Sequence, residues 1–338
     1  MGDFATDYLD GSLQDYWPND NDRISSNDSL PEKDRPLMPS VTKTKVGTKF
    51  IRPLRKAKAS VSLPTELNVP PTDLSDFVTL LFGEKGIGKT SLASQFKRPI
   101  TAQWEPGRRH LPILMVPKRG EPPLNWLRYK EYQRLALESR NIDTIVNDTI
   151  DRAYRACLQQ VCKERGYTHP NDAKDYGQTW SAVNNEFEDT LNEIHASGKT
   201  PVFISHAKYK DVEDALTRTS TEMFVPTASD KCLEYMRAVC DFVFCLTKRE
   251  TERVIVVRGT STVFASCGVP DTFLCPDTGK PLAEIPMGSS PKEAYRNLCL
   301  GFQNKIRGRI LEAPPETEPE EEEEEEKPRK KKFVFKKK

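Results

Sequence analysis

Residues 77–96 read FVTLLFGEKGIGKTSLASQF, and this stretch decides the fold of the chain. The apolar run at its start, residues 77–82, is typical of a short strand buried inside a parallel sheet. The next eight residues, GEKGIGKT, match the spacing G-x-x-x-x-G-K-[ST], and SLASQF then favours a helix. The stretch therefore predicts a strand, a glycine-rich loop and a helix in direct succession.

A loop of this kind binds phosphate because of its residue types. Its glycines let backbone N–H groups curl around a phosphate, and the helix that follows adds partial positive charge. Lys89 is expected to neutralise the β- and γ-phosphate oxygens of ATP, and the hydroxyl of Thr90 to ligate Mg²⁺. The alternative is a glycine-rich turn with an incidental lysine. The predicted ATP-binding residues are Gly83, Glu84, Lys85, Gly86, Ile87, Gly88, Lys89, Thr90 and Ser91.

Strands and helices alternate along the rest of the central region. Apolar runs predict strands at 99–104, 111–116, 144–149, 201–205, 242–246 and 253–258. Helical spacing of apolar residues predicts helices at 125–140, 150–165, 180–196 and 229–239. Repeated strand–helix units of this kind predict an α/β fold, with a mostly parallel sheet flanked by helices on both faces.

Charge divides the chain into three parts. The 338 residues carry 51 Lys and Arg against 50 Asp and Glu, but these charges are segregated at the two ends. Alternating acidic and basic blocks occupy residues 1–40, 41–60, 312–326 and 327–338. Blocks of one sign are typical of disordered segments. We therefore predict a disordered arm at 1–60, one folded domain at 61–311 and a disordered tail at 312–338.

Composition excludes several classes of protein. The sequence has no run of about 18 apolar residues, the length that a membrane-spanning helix requires. Its start, MGDFATDYLD, is acidic and lacks the apolar core of a secretory signal. Eight cysteines are far too few for a disulfide scaffold of this length. We therefore expect a cytoplasmic protein with free thiols.

An aspartate at the end of one predicted strand is the candidate metal ligand. Asp148 ends the TIVND run, so it should lie at the carboxyl edge of the sheet beside the phosphates. This is the Walker B position, at which a carboxylate helps to hold Mg²⁺. Asp143 and Asp151 are alternatives for the same role. Asp148 could instead cap the helix that follows, as aspartate often does.

Polar residues also follow two other predicted strands. Glu105 comes after the second strand, where a carboxylate can polarise the attacking water, so we take Glu105 and Lys89 as the candidate catalytic residues. The alternative for Glu105 is a turn residue before Pro106. His206 follows the strand at 201–205 and is the candidate sensor of the γ-phosphate. The alternative for His206 is a polar residue that is simply hydrogen-bonded.

Cys157, Cys162 and His169 form a C-x4-C-x6-H pattern that does not match a common zinc site. The two cysteines are five residues apart on a predicted helix, which separates them by about 140° around its axis. A fourth ligand would have to come from Cys232, Cys267 or Cys275. We therefore favour buried free thiols over a zinc site.

Five segments in a fixed order carry a family resemblance. They are FGEKGIGKTSLASQF at 82–96, WEPG at 104–107, NDTIDRAYRACLQQVCKERGYTHPND at 147–172, WSAVNNEF at 180–187 and FISHAK at 203–208. Together they resemble the phage RecA-like P-loop ATPases, which are also called Sak-type single-strand annealing proteins or phage AAA-family nucleotide-binding proteins, over about residues 70–290. The resemblance implies a RecA-like core that uses ATP and Mg²⁺ and contacts single-stranded DNA in recombination, annealing or replication. It also implies a host-cytoplasm location if phage-encoded, a homo-oligomer, and a phage single-strand-binding protein as partner.

The resemblance extends to individual residues. Lys89 and Thr90 match the P-loop, Asp148 matches Walker B, and Glu105 matches the catalytic glutamate of RecA-type proteins. His206 takes a switch position that is Gln in RecA-type recombinases. Residues 207–225 correspond to a DNA-contacting loop, for which the candidate DNA-binding residues are Lys208, Tyr209, Lys210 and Arg218.

One segment departs from the family pattern. An Arg-Thr-Gly-Arg-Leu-Pro core is expected near the C-terminus, but residues 277–282 read DTGKPL, so that Lys280 replaces an arginine and the leading arginine is absent. Any role of that arginine in a neighbouring subunit's ATP site is therefore in doubt. The candidate substitutes are Lys248, Arg249 and Arg258.

The charge of the predicted DNA loop leaves other functions open. Its acidic side chains slightly outnumber its basic ones, so the basic runs at 43–58 and 327–338 are alternative DNA-binding segments. The acidic run at 312–326 is either an autoinhibitor or a solubilising tail. Two other functions remain: a nucleotide-gated interaction protein or loader with little DNA affinity, and a small-molecule P-loop kinase. A kinase is disfavoured because the sequence shows no arginine-rich lid.

Overall fold

A computed structural model describes residues 63, 65–107, 110–213 and 218–311. The chain divides into two units, Met1–Glu66 and Leu67–Lys338, and the described helices and strands all lie in the second unit. The whole predicted arm at 1–60 and the whole tail at 312–338 fall outside the described residues, so their predicted disorder stays a prediction. Among the described helices, none combines the length and the apolar character needed to cross a bilayer.

The described part of the second unit contains eleven strands and six α-helices. The strands are β1 Thr79–Gly83, β2 Pro99–Gln103, β3 Met115–Val116, β4 Thr144–Asp148, β5 Thr200–Glu213, β6 Ser220–Pro226, β7 Phe242–Arg249, β8 Glu252–Val256, β9 Ser266–Cys267, β10 Leu282–Pro286 and β11 Arg309–Ile310. The helices are α1 Lys89–Ala93, α2 Trp126–Glu138, α3 Ile150–Glu164, α4 Gln178–Ala196, α5 Asp230–Val239 and α6 Pro291–Phe302. Short 3₁₀ helices lie at Leu74–Asp76 and Pro170–Ala173.

The strands form one sheet in the order β11-β10-β8-β7-β1-β5-β4-β2-β3. The central strands, from β7 through β1, β5, β4 and β2 to β3, are parallel to their neighbours. Antiparallel pairing adds β8, β10 and β11 at one edge, while β6 pairs with β5 and β9 with β7. The predicted α/β class is confirmed, with a parallel centre and antiparallel additions.

Apolar side chains on the two faces of the sheet form two separate cores. In β1, Leu80 and Phe82 point to one face, and Leu81, between them, points to the other, as strand geometry requires. The first face packs against α2, α3, α4 and α5, and the second against α1 and α6. Helices therefore cover both faces, and the sheet edges at the carboxyl ends of the strands remain available for polar residues.

The predicted DNA-contacting loop at 207–225 is a β-hairpin instead. β5 continues past the parallel part of the sheet to Glu213, and from Ala207 onwards it pairs antiparallel with β6. Pairing with β6 supplies the backbone hydrogen bonds that the parallel neighbours no longer offer. The sequence did not predict this strand because β5 is polar beyond His206. Its stabilising contacts are made across the hairpin, such as Tyr209 against Phe224 at 5.0 Å between ring centres, and the sequence of one strand alone does not show them.

Other predicted elements differ mainly in length. The strand expected at 111–116 is reduced to the two residues of β3, with Val116-Pro117 directly after them. A proline lacks the backbone N–H that a strand donates, which explains why the ladder stops there. β10 and α6 lie beyond the last predicted strand, and α6 begins with Ser290 as a side-chain cap and Pro291 in its first turn, both typical of a helix start.

Candidate active site

The carboxyl ends of four parallel strands meet at one edge of the sheet. Gly83 at the end of β1 is paired with His206 in β5. Asp148 at the end of β4 is paired with Ile204 on one side and with Gln103, the last residue of β2, on the other. The register therefore brings together the glycine-rich loop, Asp148, His206 and the segment after β2 that carries Glu105.

The glycine-rich loop adopts a backbone that its glycines make possible. Gly83, Gly86 and Gly88 have φ angles of 151°, 82° and 116°. A Cβ atom on Gly83 would lie 2.1 Å from the backbone oxygen of Leu246 in β7, so only glycine fits there. Gly86 is exposed, and a Cβ there would meet no heavy atom within 4 Å, which leaves room on the outer side of the loop.

Lys89 holds its charge inside this loop. Its side chain is only 4% exposed, and Nζ donates to the carbonyl oxygens of Gly83 at 2.7 Å and Glu84 at 2.8 Å. An ammonium group is thus placed at the inner side of the turn that the backbone makes. An ammonium with three donors suits phosphate oxygens.

Thr90 and Asp148 bring two oxygen ligands together. The Thr90 hydroxyl donates to Oδ2 of Asp148 at 2.6 Å, and both residues are buried. Oxygen atoms of hydroxyl and carboxylate groups are ligands that Mg²⁺ prefers. With Lys89 beside them, these groups fit a phosphate-bound Mg²⁺ ion, and Thr90 and Asp148 are the residues that would hold it. Such a bound ion neutralises phosphate charge.

Glu105 faces the same edge from the segment after β2. Its Oε2 lies 3.1 Å from Nε2 of His206, and its Oε1 lies 3.6 Å from Nε of Arg152 and 3.5 Å from the Thr149 hydroxyl. The side chain is 25% exposed, so a water molecule can reach the carboxylate. The sequence predicted Glu105 and His206 separately, and the structure brings them into contact.

A family profile for the AAA domain matches residues 76–266, more than half of the chain. The chain belongs to the AAA domain family. The matched residues contain the glycine-rich loop, Asp148, Glu105 and His206, so the AAA domain is a nucleotide-binding P-loop domain of the ATPase type.

Two individual proteins are similar to parts of the AAA domain protein. The SPbeta prophage-derived uncharacterized protein YorG of Bacillus subtilis (strain 168) is 22% identical over 148 residues, which are 42% of this chain and 44% of YorG. This chain thus spans less than half the length of that curated relative. A KaiC-like protein, PH0186 from Pyrococcus horikoshii OT3, is 16% identical with a TM-score of 0.33, covering 55% of this chain and 80% of that protein.

The three aspartates of the AAA domain that are candidate metal ligands have different positions and contacts. Asp143 precedes β4 at the opposite end of the strand, where its carboxylate accepts a 2.7 Å hydrogen bond from Arg98. Asp151 accepts hydrogen bonds from Ser205 and Thr227. Asp148 alone of the three contacts Thr90, and Thr149 rather than Asp148 is the residue that precedes α3 as its cap position.

The side chains of the β5–β6 hairpin lie on two opposite faces. Lys208 and Lys210 line the side that faces α5, together with Met223 and Val225. Tyr209 is on the opposite face because neighbouring residues of a strand point in opposite directions. Lys210 is paired with Asp230 of α5 at 2.7 Å. Arg218 is exposed just before β6. Because Tyr209 points away from Lys208 and Lys210, the four candidate DNA-binding residues do not share one face of the hairpin.

Cys157 and Cys162 lie on α3 with free, buried thiols. Burial raises the pKa of both thiols, which keeps them protonated. His169 is exposed and caps the 3₁₀ helix at Pro170–Ala173 by accepting from Asn171 N at 3.2 Å. Within residues 63–311, the part that is described contains no group of three or more His, Cys, Asp or Glu placed to hold a metal ion.

The three candidate substitutes for the missing arginine have different surroundings. Arg249 is paired with Glu284 at 3.1 Å, and Arg258 donates to the carbonyl oxygen of Thr272 at 2.8 Å. Lys248 is exposed near the end of β7. Arg249 and Arg258 thus have partners within this chain, but Arg249 is as exposed to solvent as Lys248, so both Lys248 and Arg249 stay candidates.

Sequence reasoning missed the groups that surround Glu105 and His206. Arg152 and Thr149 contact Glu105, and although both lie in the segment 147–172, no role was predicted for either. Thr227, just after β6, donates its backbone N–H to the carbonyl oxygen of His206 at 2.9 Å. The hairpin brings Thr227 beside His206, and because this segment was predicted to be a loop, the contact could not be predicted.

Proposed function

We propose that this protein hydrolyses ATP in a Mg²⁺-dependent reaction and acts on single-stranded DNA in phage recombination, annealing or replication. One observation carries the proposal: Glu105 contacts His206, and β5 runs on from His206 directly into the β5–β6 hairpin. His206, at the same sheet edge as the glycine-rich loop, is thus joined by continuous backbone to the β5–β6 hairpin, which runs past the parallel part of the sheet. The resemblance to Sak-type proteins and the prophage origin of YorG support the role in phage DNA metabolism.

The hydrolytic step assigns one task to each residue of the site. Backbone N–H groups of the loop and the Lys89 ammonium bind the phosphates, while Thr90 and Asp148 hold the metal ion. Glu105 orients the attacking water and accepts its proton, since its carboxylate is partly exposed. His206 hydrogen-bonds the other oxygen of this carboxylate, and so its position follows that of Glu105.

The DNA step rests on the hairpin. Lys208 and Lys210 bring positive charge to one face, beside the apolar side chains of Met223 and Val225. Such a face suits single-stranded DNA, because the phosphates of DNA pair with cations and its bases pack on apolar or aromatic surface. Movement of His206 when ATP binds would shift this face and change its affinity for DNA. Each phosphate contact that forms steepens the salt dependence by about 0.7 in log–log slope.

A second function is favoured by the charges of the same hairpin. Asp211, Glu213 and Glu222 offset its basic residues, and Lys210 already has Asp230 as a partner. A surface of mixed charge suits a protein partner better than a phosphate backbone. The second candidate is therefore a nucleotide-gated switch or loader that binds ATP, turns it over slowly and recruits a replication protein.

Steady-state ATP hydrolysis with and without single-stranded DNA tests the proposal. We expect DNA to stimulate hydrolysis by the wild type, and Lys89→Ala to lower the rate by about 100-fold under both conditions because the phosphate charge is no longer neutralised. Lys97→Ala removes an exposed lysine and is the matched control, for which we expect wild-type rates. Hydrolysis that ignores DNA in the wild type contradicts the DNA role and favours the protein-partner switch.

A further inference from the structure

Asp151 joins three elements of the fold through one carboxylate. It lies in the first turn of α3, three residues after Asp148. The Ser205 hydroxyl donates to its Oδ1 at 3.0 Å, and the Thr227 hydroxyl donates to its Oδ2 at 3.1 Å. Ser205 is in β5 and Thr227 follows β6, so the carboxylate connects α3 to both strands at the base of the hairpin.

These contacts lie directly behind the predicted sensor. Ser205 precedes His206 in β5, and the Thr227 N–H donates to the His206 carbonyl oxygen at 2.9 Å. The Ser205 side chain is fully buried, and its hydroxyl contacts Asp151 and Thr227 rather than solvent. The backbone of His206 is therefore held on one side by Asp151, through Ser205 and Thr227, while its ring contacts Glu105 on the other.

A half-buried carboxylate is a costly way to hold two strands together. Its desolvation disfavours the charged form, and hydroxyl groups or apolar side chains could fill the same space without that cost. The Ser205 and Thr227 hydroxyl oxygens are themselves only 3.4 Å apart, so they could bond to each other without an aspartate. The carboxylate adds a rigid connection to α3, whose preceding strand carries Asp148.

We propose that Asp151 is a positioning residue that makes the conformation of the β5–β6 hairpin depend on nucleotide bound at the P-loop. Displacement of Asp148 and the first turn of α3 moves the Asp151 carboxylate, which carries Ser205, Thr227 and the base of the hairpin with it. Without Asp151 the two hydroxyls bond to each other, and the hairpin is released from α3. The proposal rests on the nucleotide binding of the proposed function but not on its DNA step.

Hydrogen exchange of the full-length protein tests this coupling without any DNA. The probe is the slowly hydrolysed analogue ATPγS with Mg²⁺, and nucleotide affinity is measured separately for each variant. In the wild type we expect the analogue to slow exchange of hairpin amides at least about fivefold, because a hairpin held at both ends opens less often. In Asp151→Ala, which removes the acceptor oxygens altogether, and in Thr227→Val we expect this factor to fall to within about twofold of no effect, while the analogue still binds.

The control variant is Asp230→Ala. Asp230 is also a first-turn carboxylate that contacts the hairpin, and its side chain accepts a hydrogen bond from Lys210 rather than from Ser205 or Thr227. We expect Asp230→Ala to keep the wild-type response. An equal response in the wild type and Asp151→Ala overturns the proposal, and so does a wild-type hairpin that does not respond to a bound analogue. Failure of the analogue to bind the wild type contradicts the proposed function itself, and that outcome is recognised by the affinity measurement.

Discussion

Glu105 and His206 are 101 residues apart in the sequence, yet their side chains meet with 3.1 Å between Oε2 and Nε2. Glu105 follows β2 and His206 lies in β5, and the two strands are separated in the sheet by β4, which ends in Asp148. The pair therefore spans the strand that carries the candidate metal ligand. Any group bound between the glycine-rich loop and Asp148 lies beside a carboxylate whose position is linked to the hairpin.

The first prediction concerns Glu105 itself. Glu105→Gln keeps the shape of the side chain but cannot accept a proton from water, so we expect hydrolysis to fall by about 100- to 1,000-fold. Nucleotide affinity should change little, because the phosphate contacts come from the loop and Lys89. Single-turnover hydrolysis and equilibrium binding of ATP measure the two effects separately.

The control for this variant is Glu138→Gln, since Glu138 is an exposed carboxylate at the end of α2 that contacts only its neighbour Arg134 among the described ion pairs. Wild-type hydrolysis by Glu105→Gln would contradict the assignment of Glu105 as the base. It would favour the nucleotide-gated switch, in which turnover is incidental to binding.

The second prediction concerns His206. His206→Ala removes the contact with Glu105, so we expect DNA to lose its effect on the hydrolysis rate. His206→Gln retains a side-chain N–H that can donate to the carboxylate, so we expect most of the stimulation to survive. The measurement is the ratio of rates with and without single-stranded DNA, and His195→Ala, at an exposed histidine on α4, is the control. Equal stimulation by DNA in all three variants would show that His206 has no part in the response to DNA.

The local elements of the site could be predicted from the sequence, but the contacts between them could not. The apolar run before Gly83 and the aspartate after a β-branched run predicted where β1 and β4 end, because burial in a parallel sheet leaves continuous apolar residues. The same pattern predicted the strand before His206. Since parallel strands end at one edge, the convergence of these residues followed from the fold class alone.

The hairpin shows where this reasoning fails. Beyond His206, β5 is polar, and its stability comes from pairing with β6 rather than from a buried apolar face. Pairing between two largely polar strands leaves no apolar periodicity in either one, even though β5 and β6 follow each other in the chain. The contacts of Asp151 with Ser205 and Thr227 depend on that pairing, so they were equally hidden, and Asp151 could be named only as a possible metal ligand.

The third prediction tests the metal ligands. Thr90→Val removes the hydroxyl that meets Asp148 at 2.6 Å but keeps the size of the side chain. We expect the Mg²⁺ concentration for half-maximal hydrolysis to rise by at least about tenfold, as for other lost contacts at metal sites. Thr90→Ser restores the hydroxyl and should restore the wild-type requirement. An unchanged Mg²⁺ requirement in Thr90→Val would remove Thr90 from the metal site.

The fourth prediction concerns the stability of the loop. Gly83→Ala places a Cβ atom 2.1 Å from the Leu246 oxygen at a φ angle of 151°, so both steric overlap and backbone strain oppose it. We expect the free energy of unfolding to fall by about 3 kcal/mol. Gly279→Ala is the control, because its φ is also positive at 67° but the space around it is open, and we expect a loss of about 1 kcal/mol there. Urea unfolding measures both, and equal losses would contradict the proposed overlap with β7.

The last prediction is that the connection made by Asp151 costs stability at neutral pH. Burial raises the pKa of the Asp151 carboxyl, although hydrogen bonds from Ser205 and Thr227 partly oppose this rise. A raised pKa means that the protonated form fits the folded protein better than the ionised form. Its contribution to stability is complete below the ordinary aspartate pKa of about 3.9 and is lost as the pH rises through the raised folded value.

Asp151→Asn cannot ionise, so it should be more stable to urea than the wild type above the raised folded pKa, with the difference shrinking as the pH falls through that value towards about 3.9. Asp230→Asn should show the opposite sign or no effect, because the hydrogen bond from Lys210 lowers the pKa of Asp230 and its ionised form is the one the folded protein favours. A gain in stability in Asp151→Asn, together with a lost hairpin response in Asp151→Ala, would mean that the carboxylate serves coupling at the expense of stability. A loss of stability in Asp151→Asn at neutral pH would instead mark Asp151 as a structural residue of the hairpin base.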